Sequence, residues 1–73
     1  MSISEEEFKI RLGKKIEDLR TSTDFGVREL ALKADIEHHQ LINIQKGRVD
    51  ARICTLKKIA DALGIELKVL LDF

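Results

Sequence analysis

The stretch VRELALKADIEHHQLINIQKG, residues 27–47, decides the fold. Val27, Leu30, Ala31 and Ala34 recur at helical spacing, and Ile36, Leu41 and Ile44 then start the rhythm again. This spacing predicts two short helices whose apolar inner faces meet across a tight turn. The earlier helix begins near Val27 and ends at Ala34. Asp35 takes the turn, where a short polar side chain tolerates a left-handed backbone better than most non-glycine residues do. The later helix starts after Ile36 with Glu37 as a weak cap and stops before Gly47, read as its left-handed terminator.

Working outward, Ser4 and Glu7 form a capping-box pattern. Phe8, Leu12, Ile16 and Leu19 follow at helical spacing, so a first helix is predicted from about residue 5 to residue 20. Gly13 weakens that helix by about 1 kcal/mol relative to alanine unless close packing requires it. Residues 21–26 are loop chemistry, with Phe25 expected under the core. After a loop at 48–52, Ile53, Leu56, Ile59, Ala60 and Leu63 define a fourth helix closed by Gly64. A short fifth, about residues 66–72, is expected to turn Leu67, Leu70 and Leu71 inward and to leave Val69 exposed. The expected class is all-α: five helices, no strand, and one domain over residues 1–73 with the paired helices at its centre. No internal repeat or low-complexity tract interrupts it.

Length and composition narrow the function. A chain of 73 residues buries only about 60% of its unfolded surface, so it leans on helix packing or on a partner subunit. Apolar residues at 44% and charged residues at 36% fit a folded domain and not a disordered tail. The formal net charge is zero, but its distribution is uneven. Glu5, Glu6 and Glu7 lie early, where the helix dipole favours them. Lys46, Arg48, Arg52, Lys57 and Lys58 face only Asp50 in opposition. The single cysteine, Cys54, excludes an internal disulfide and is expected to be a half-buried helix residue. The start lacks the regions of a signal peptide, and no apolar run approaches the roughly 20 residues that span a bilayer. A cytoplasmic location is expected, with no membrane partner.

The outer face of the third helix carries the chemistry. His38, His39, Gln40 and Asn43 can each hydrogen-bond to a base edge or a phosphate. A helix that is polar at its start, braced by a partner helix and followed by glycine and basic residues suits DNA reading. Gln and Asn make bidentate contacts to adenine, and a histidine can meet guanine or adenine N7. The plainer account is that these residues are only solvated. A metal site is not expected, because adjacent histidines point apart on a helix and no partners stand at ligand spacing. Lys46, Arg48 and Arg52 are candidate phosphate contacts just past the reading helix, with Arg28 a weaker one; a solvated charge run is the alternative. Ile42 can touch a thymine methyl or simply be exposed. No catalytic motif or paired carboxylate occurs, so no enzyme and no cofactor are expected.

Leu12 and Arg20, the Leu30-Ala31 pair, Ile36, Leu41, Ile44, Gly47 and the segment TLKKIADALGI at residues 55–65 together resemble the Cro/repressor-type (xenobiotic-response-element) helix-turn-helix family. The resemblance covers residues 12–71, and its most specific part is IADALGI. It implies a five-helix, lambda-repressor-like DNA-binding domain in which helices two and three form the helix-turn-helix. It also implies a dimeric, sequence-specific regulator, a repressor being the expected action, with its third helix in the major groove of a palindromic operator. His38 and His39 occupy places that touch bases in the family. The sequence departs from the family pattern at named positions. Gly26 and Val27 stand where a polar cap and a backbone-clamping glutamine are usual, leaving Val27 only its backbone amide for a phosphate. Asp35 replaces the turn glycine, and Ala51-Arg52 replaces a Pro-Ser pair. Gln45 replaces a glutamate that pairs with an arginine of the first helix, here Arg20, so a hydrogen bond is expected in place of an ion pair.

Val69 and Phe73 are the odd apolar residues at the C-terminal end and are read as a homodimer interface; a Phe73 that folds back is the alternative. No small-molecule ligand is expected within this chain. A second functional reading keeps the fold but makes it an antitoxin-like or adaptor module with DNA binding weak or lost. Neutral net charge, Val27 and Asp35 are its support.

Overall fold

Ser4 starts the first helix as a cap: its Oγ accepts a hydrogen bond from the Glu7 amide at 3.1 Å. The reciprocal half of the capping box does not form among the described residues, 2–73 of the computed structural model. Glu7 turns along the helix instead, its Oε1 accepting from Arg11 Nε at 3.2 Å. Five helices follow: α1 (Glu5–Thr21), α2 (Val27–Ala34), α3 (His38–Gln45), α4 (Ile53–Leu63) and α5 (Leu67–Leu70). No strand occurs among the described residues. The predicted bounds of α1 to α4 agree with these to within about a residue, whereas α5 is shorter than expected.

All five helices feed one core, built from Leu12, Ile16, Leu30, Ala31, Ala34, Leu41, Ile44, Leu56, Ile59, Ala60 and Leu70. Each large member contributes about 1.5–3 kcal/mol by leaving water. Helix α2 packs on both α3 and α4, and α1 closes over α3 and α5. Two residues in the left-handed region make the turns of the central pair: Asp35 at φ 56° after α2 and Gly47 at φ 70° after α3. Phe25 sits half-buried against the core, with Lys33 Nζ 4.9 Å from its ring centroid.

Gly13 is buried where α1 meets the last turn of α3. A β-carbon there would overlap the backbone carbonyls of Ile44 and Gln45. Gly47 also meets α1 closely, since a β-carbon on it would lie 2.9 Å from the Cα of Ile10. Backbone meets backbone along this seam, and α1 thereby holds the C-terminal end of α3.

Several burial expectations are corrected. Phe8 is 43% exposed and does not join the core. At 17 residues α1 is far longer than the 8-residue α3 it packs on, so its first turns overhang, and the ring of Phe8 meets that of Phe73 edge-on, 5.2 Å away. Ile53 is 60% exposed and Cys54 is exposed, because both lie in the first turn of α4, with the buried stripe beginning at Leu56. At the C-terminal end α5 stops at Leu70, and Leu71 leaves the helical rhythm to become exposed. Val69, expected to be exposed, is half-buried.

Candidate nucleic-acid interface

Burial of Leu41 and Ile44 against the core turns the opposite side of α3 outward. His39 and Gln40 are exposed there, and Asn43 is half-buried. These three line one open groove with Glu37, and its far wall is the loop residues Val49, Asp50, Ala51 and Arg52. Asn43 Oδ1 accepts a long hydrogen bond from Arg48 Nη1 at 3.4 Å, which leaves the Asn43 amide NH₂ free to donate. Ile42 is half-buried beside this face.

His38 stands apart from the groove. It is half-buried, and its ring meets that of His39 edge-on, centroids 5.4 Å apart. The expectation that the two imidazoles diverge is therefore corrected: their first-turn rotamers bring the rings together. Loss of solvent lowers the His38 pKa below its ordinary value, and the positive charge of Arg28 and the neighbouring His39 add to the effect.

Val27 points its side chain into the core, where it is half-buried. Only its backbone N–H is left for an outside partner. Gly26 caps α2 without a side-chain hydrogen bond, so the first-turn amides stay open to one. Lys46 ends α3, Arg48 follows Gly47, and Arg52 precedes α4; all three are exposed. Of these, Arg52 alone lines the groove.

The bracing contact at the end of α3 is polar. Arg20 Nε donates to Gln45 Oε1 at 2.9 Å, and Arg20 Nη1 donates to the Phe25 carbonyl at 3.0 Å. One guanidinium thereby joins α1, the loop before α2, and the last residue of α3. Among the described residues, no group of three or more His, Cys, Asp or Glu side chains is arranged to hold a metal. No helix of the described chain is long and apolar enough to cross a membrane.

The sequence expectation missed Glu37 as part of this face, and with it the loop wall of Val49, Asp50 and Ala51. The signal was present for Glu37, since positions 37, 40 and 43 follow i, i+3, i+6 spacing. The loop wall depends on how residues 48–52 fold back, which no periodicity announces.

No protein-family model matches the chain. The control protein C.BamHI of Bacillus amyloliquefaciens is 29% identical over 66 residues, spanning 89% of this chain and 82% of that protein. Among solved structures, the restriction-modification controller protein C.AhdI of Aeromonas hydrophila superposes with a TM-score of 0.82 at 23% identity, over 84% of this chain and 92% of that one. An HTH_3 family transcriptional regulator of Vibrio cholerae gives 0.87 at 24% identity, over 92% of this chain and 38% of the other. The fold is that of the Cro/repressor-type helix-turn-helix proteins. In helix-turn-helix terms α2 is the bracing helix, Asp35 the turn and α3 the helix whose outer face is free.

Proposed function

We propose that this chain is a sequence-specific DNA-binding transcriptional regulator that lays α3 in the major groove. The single observation carrying this reading is the outer face of α3. His39, Gln40 and Asn43 stand together in one groove with Arg52, while the same helix buries Leu41 and Ile44 behind them. Similarity to a control protein and to a controller structure supports it. His38, His39, Gln40 and Asn43 are the base-reading set. The Val27 amide, Arg28, Lys46, Arg48 and Arg52 are the phosphate contacts that set register.

Residues 1–73 act as one DNA-binding domain in the cytoplasm, as a repressor and as a homodimer on a palindromic operator. A lone small domain reads too few base pairs for useful specificity. The dimer surface is the C-terminal end, where Phe73 is 41% exposed and touches exposed Phe8. Phe73 also borders an apolar groove with Ile10, which is 54% exposed. Phe73 is the anchor of this surface, with half-buried Val69 four residues before it.

Selection from a random-sequence DNA pool tests the reading. The expected result is a palindrome, whose half-site spacing reports the dimer. Asn43→Ala should then relax preference at one position in each half-site by about 1–3 kcal/mol. An unchanged motif and affinity for that variant would remove Asn43 from the reading set. No retained DNA even at low salt would instead favour the protein-interaction module.

A further inference from the structure

Glu37 is a negative charge on a face otherwise suited to a polyanion. It precedes α3 as the N-cap residue, yet its side chain makes no capping hydrogen bond. Among the described residues no cation pairs with it. It is exposed and lines the same groove as Gln40 and Asn43, three and six positions further along. The helix dipole favours a carboxylate here, but among the described residues no hydrogen bond or ion pair occupies its oxygens, and it lines the groove on the face read as meeting DNA.

The chemistry of the major groove limits what such a group can meet. An ionised carboxylate only accepts hydrogen bonds. Phosphate oxygens, guanine O6 and N7, adenine N7 and thymine O4 are all acceptors, so each repels it. The donors on offer are the exocyclic amino groups of cytosine and adenine. A carboxylate in this place discriminates in both directions, gaining a partner where cytosine or adenine presents its amino group and losing free energy where an acceptor faces it.

We propose that Glu37 is a further base-reading residue, its carboxylate accepting a hydrogen bond from an exocyclic amino group, cytosine N4 or adenine N6, in the major groove. The proposal rests on α3 reading DNA. Asp50, on the loop wall of the same groove, is off the helical stripe and serves as the comparison charge.

The test runs the full chain, Glu37→Gln, Glu37→Ala and Asp50→Asn through selection from one random duplex pool at fixed salt. Affinities for the wild-type motif and for a scrambled duplex complete it. Thermal unfolding confirms that the exposed substitutions leave the fold intact. The wild type should enrich cytosine or adenine at one position of each half-site, and which base appears identifies the amino group. Glu37→Ala should lose roughly five- to tenfold in preference at that position alone, with the rest of the motif kept. Glu37→Gln keeps a carbonyl acceptor and gains an amide donor, so it should move that position towards adenine or hold it there. Asp50→Asn should leave the motif unchanged. If both Glu37 variants select the wild-type motif and bind every duplex more tightly by one factor, the carboxylate only repels phosphate and the proposal is overturned. A wild-type chain that enriches no motif would overturn the reading of α3, and Glu37 with it.

Discussion

His38 is a residue whose surroundings decide its charge. Its pKa lies below the ordinary value because of lost solvent first, then Arg28, then His39. The imidazole is therefore neutral at pH 7, with one nitrogen to donate and one to accept. A lowered folded pKa means that the unfolded chain binds the proton more readily. The contribution to stability is thus complete above the unfolded value near 6.5 and is lost as pH falls through the folded one. Urea unfolding at pH 7.5 and pH 5.5 should show the wild type losing more stability on acidification than His38→Gln does. Equal losses would mean that another group carries the dependence. Arg20 makes the complementary case, since its partner Gln45 does not titrate. The 2.9 Å hydrogen bond between them persists through the same pH range, so the end of α3 stays braced while its start responds to acid.

At the scale of the elements, the decisive contact is between α1 and the last turn of α3. Helix propensity alone says that Gly13→Ala should stabilise α1 by about 1 kcal/mol. The carbonyls of Ile44 and Gln45 stand where that methyl would go, so the substitution is expected to destabilise by about 1–3 kcal/mol as the helices are forced apart. Denaturant or thermal unfolding decides the sign, and a stabilised variant would mean that the seam opens freely. The same contact marks how much of the fold was legible in the sequence. The four longer helices follow from the spacing of Leu12, Ile16, Leu30, Leu41, Ile44, Leu56 and Ile59, because a buried stripe repeats with the helix turn. Phe8 and Ile53 obey that rhythm and are nonetheless exposed, since periodicity reports the direction of a side chain and not whether another helix covers it. Within the candidate site, Gln40 and Asn43 were readable as an outward polar stripe. Glu37 was read only as a cap, although its side chain caps nothing. The wall from Val49 to Arg52 has no local pattern and exists only once α3 and α4 are packed.

For the molecule as a whole, zero net charge conceals a division of labour. Among the described residues the acids of the first turn of α1, Glu5, Glu6 and Glu7, form no ion pair with Lys46, Arg48 or Arg52, which flank the end of α3 and the start of α4 and are exposed. Association with DNA should therefore be salt-sensitive despite the neutral total, each phosphate contact adding to the slope. Arg48→Ala should weaken binding to all sequences and reduce the slope of log affinity against log salt by about one. A loss confined to the selected operator would instead assign Arg48 to support of Asn43, whose Oδ1 it contacts at 3.4 Å. The glycine seam carries a consequence for how such a protein can change its target. Gly13 and Gly47 set the poise of α3 through main-chain contact on its hidden side, while every candidate reading residue lies on its open side or at its start. Orientation and vocabulary are thus written in separate atoms. The outer side chains can be exchanged like type in a frame, and the frame keeps its alignment.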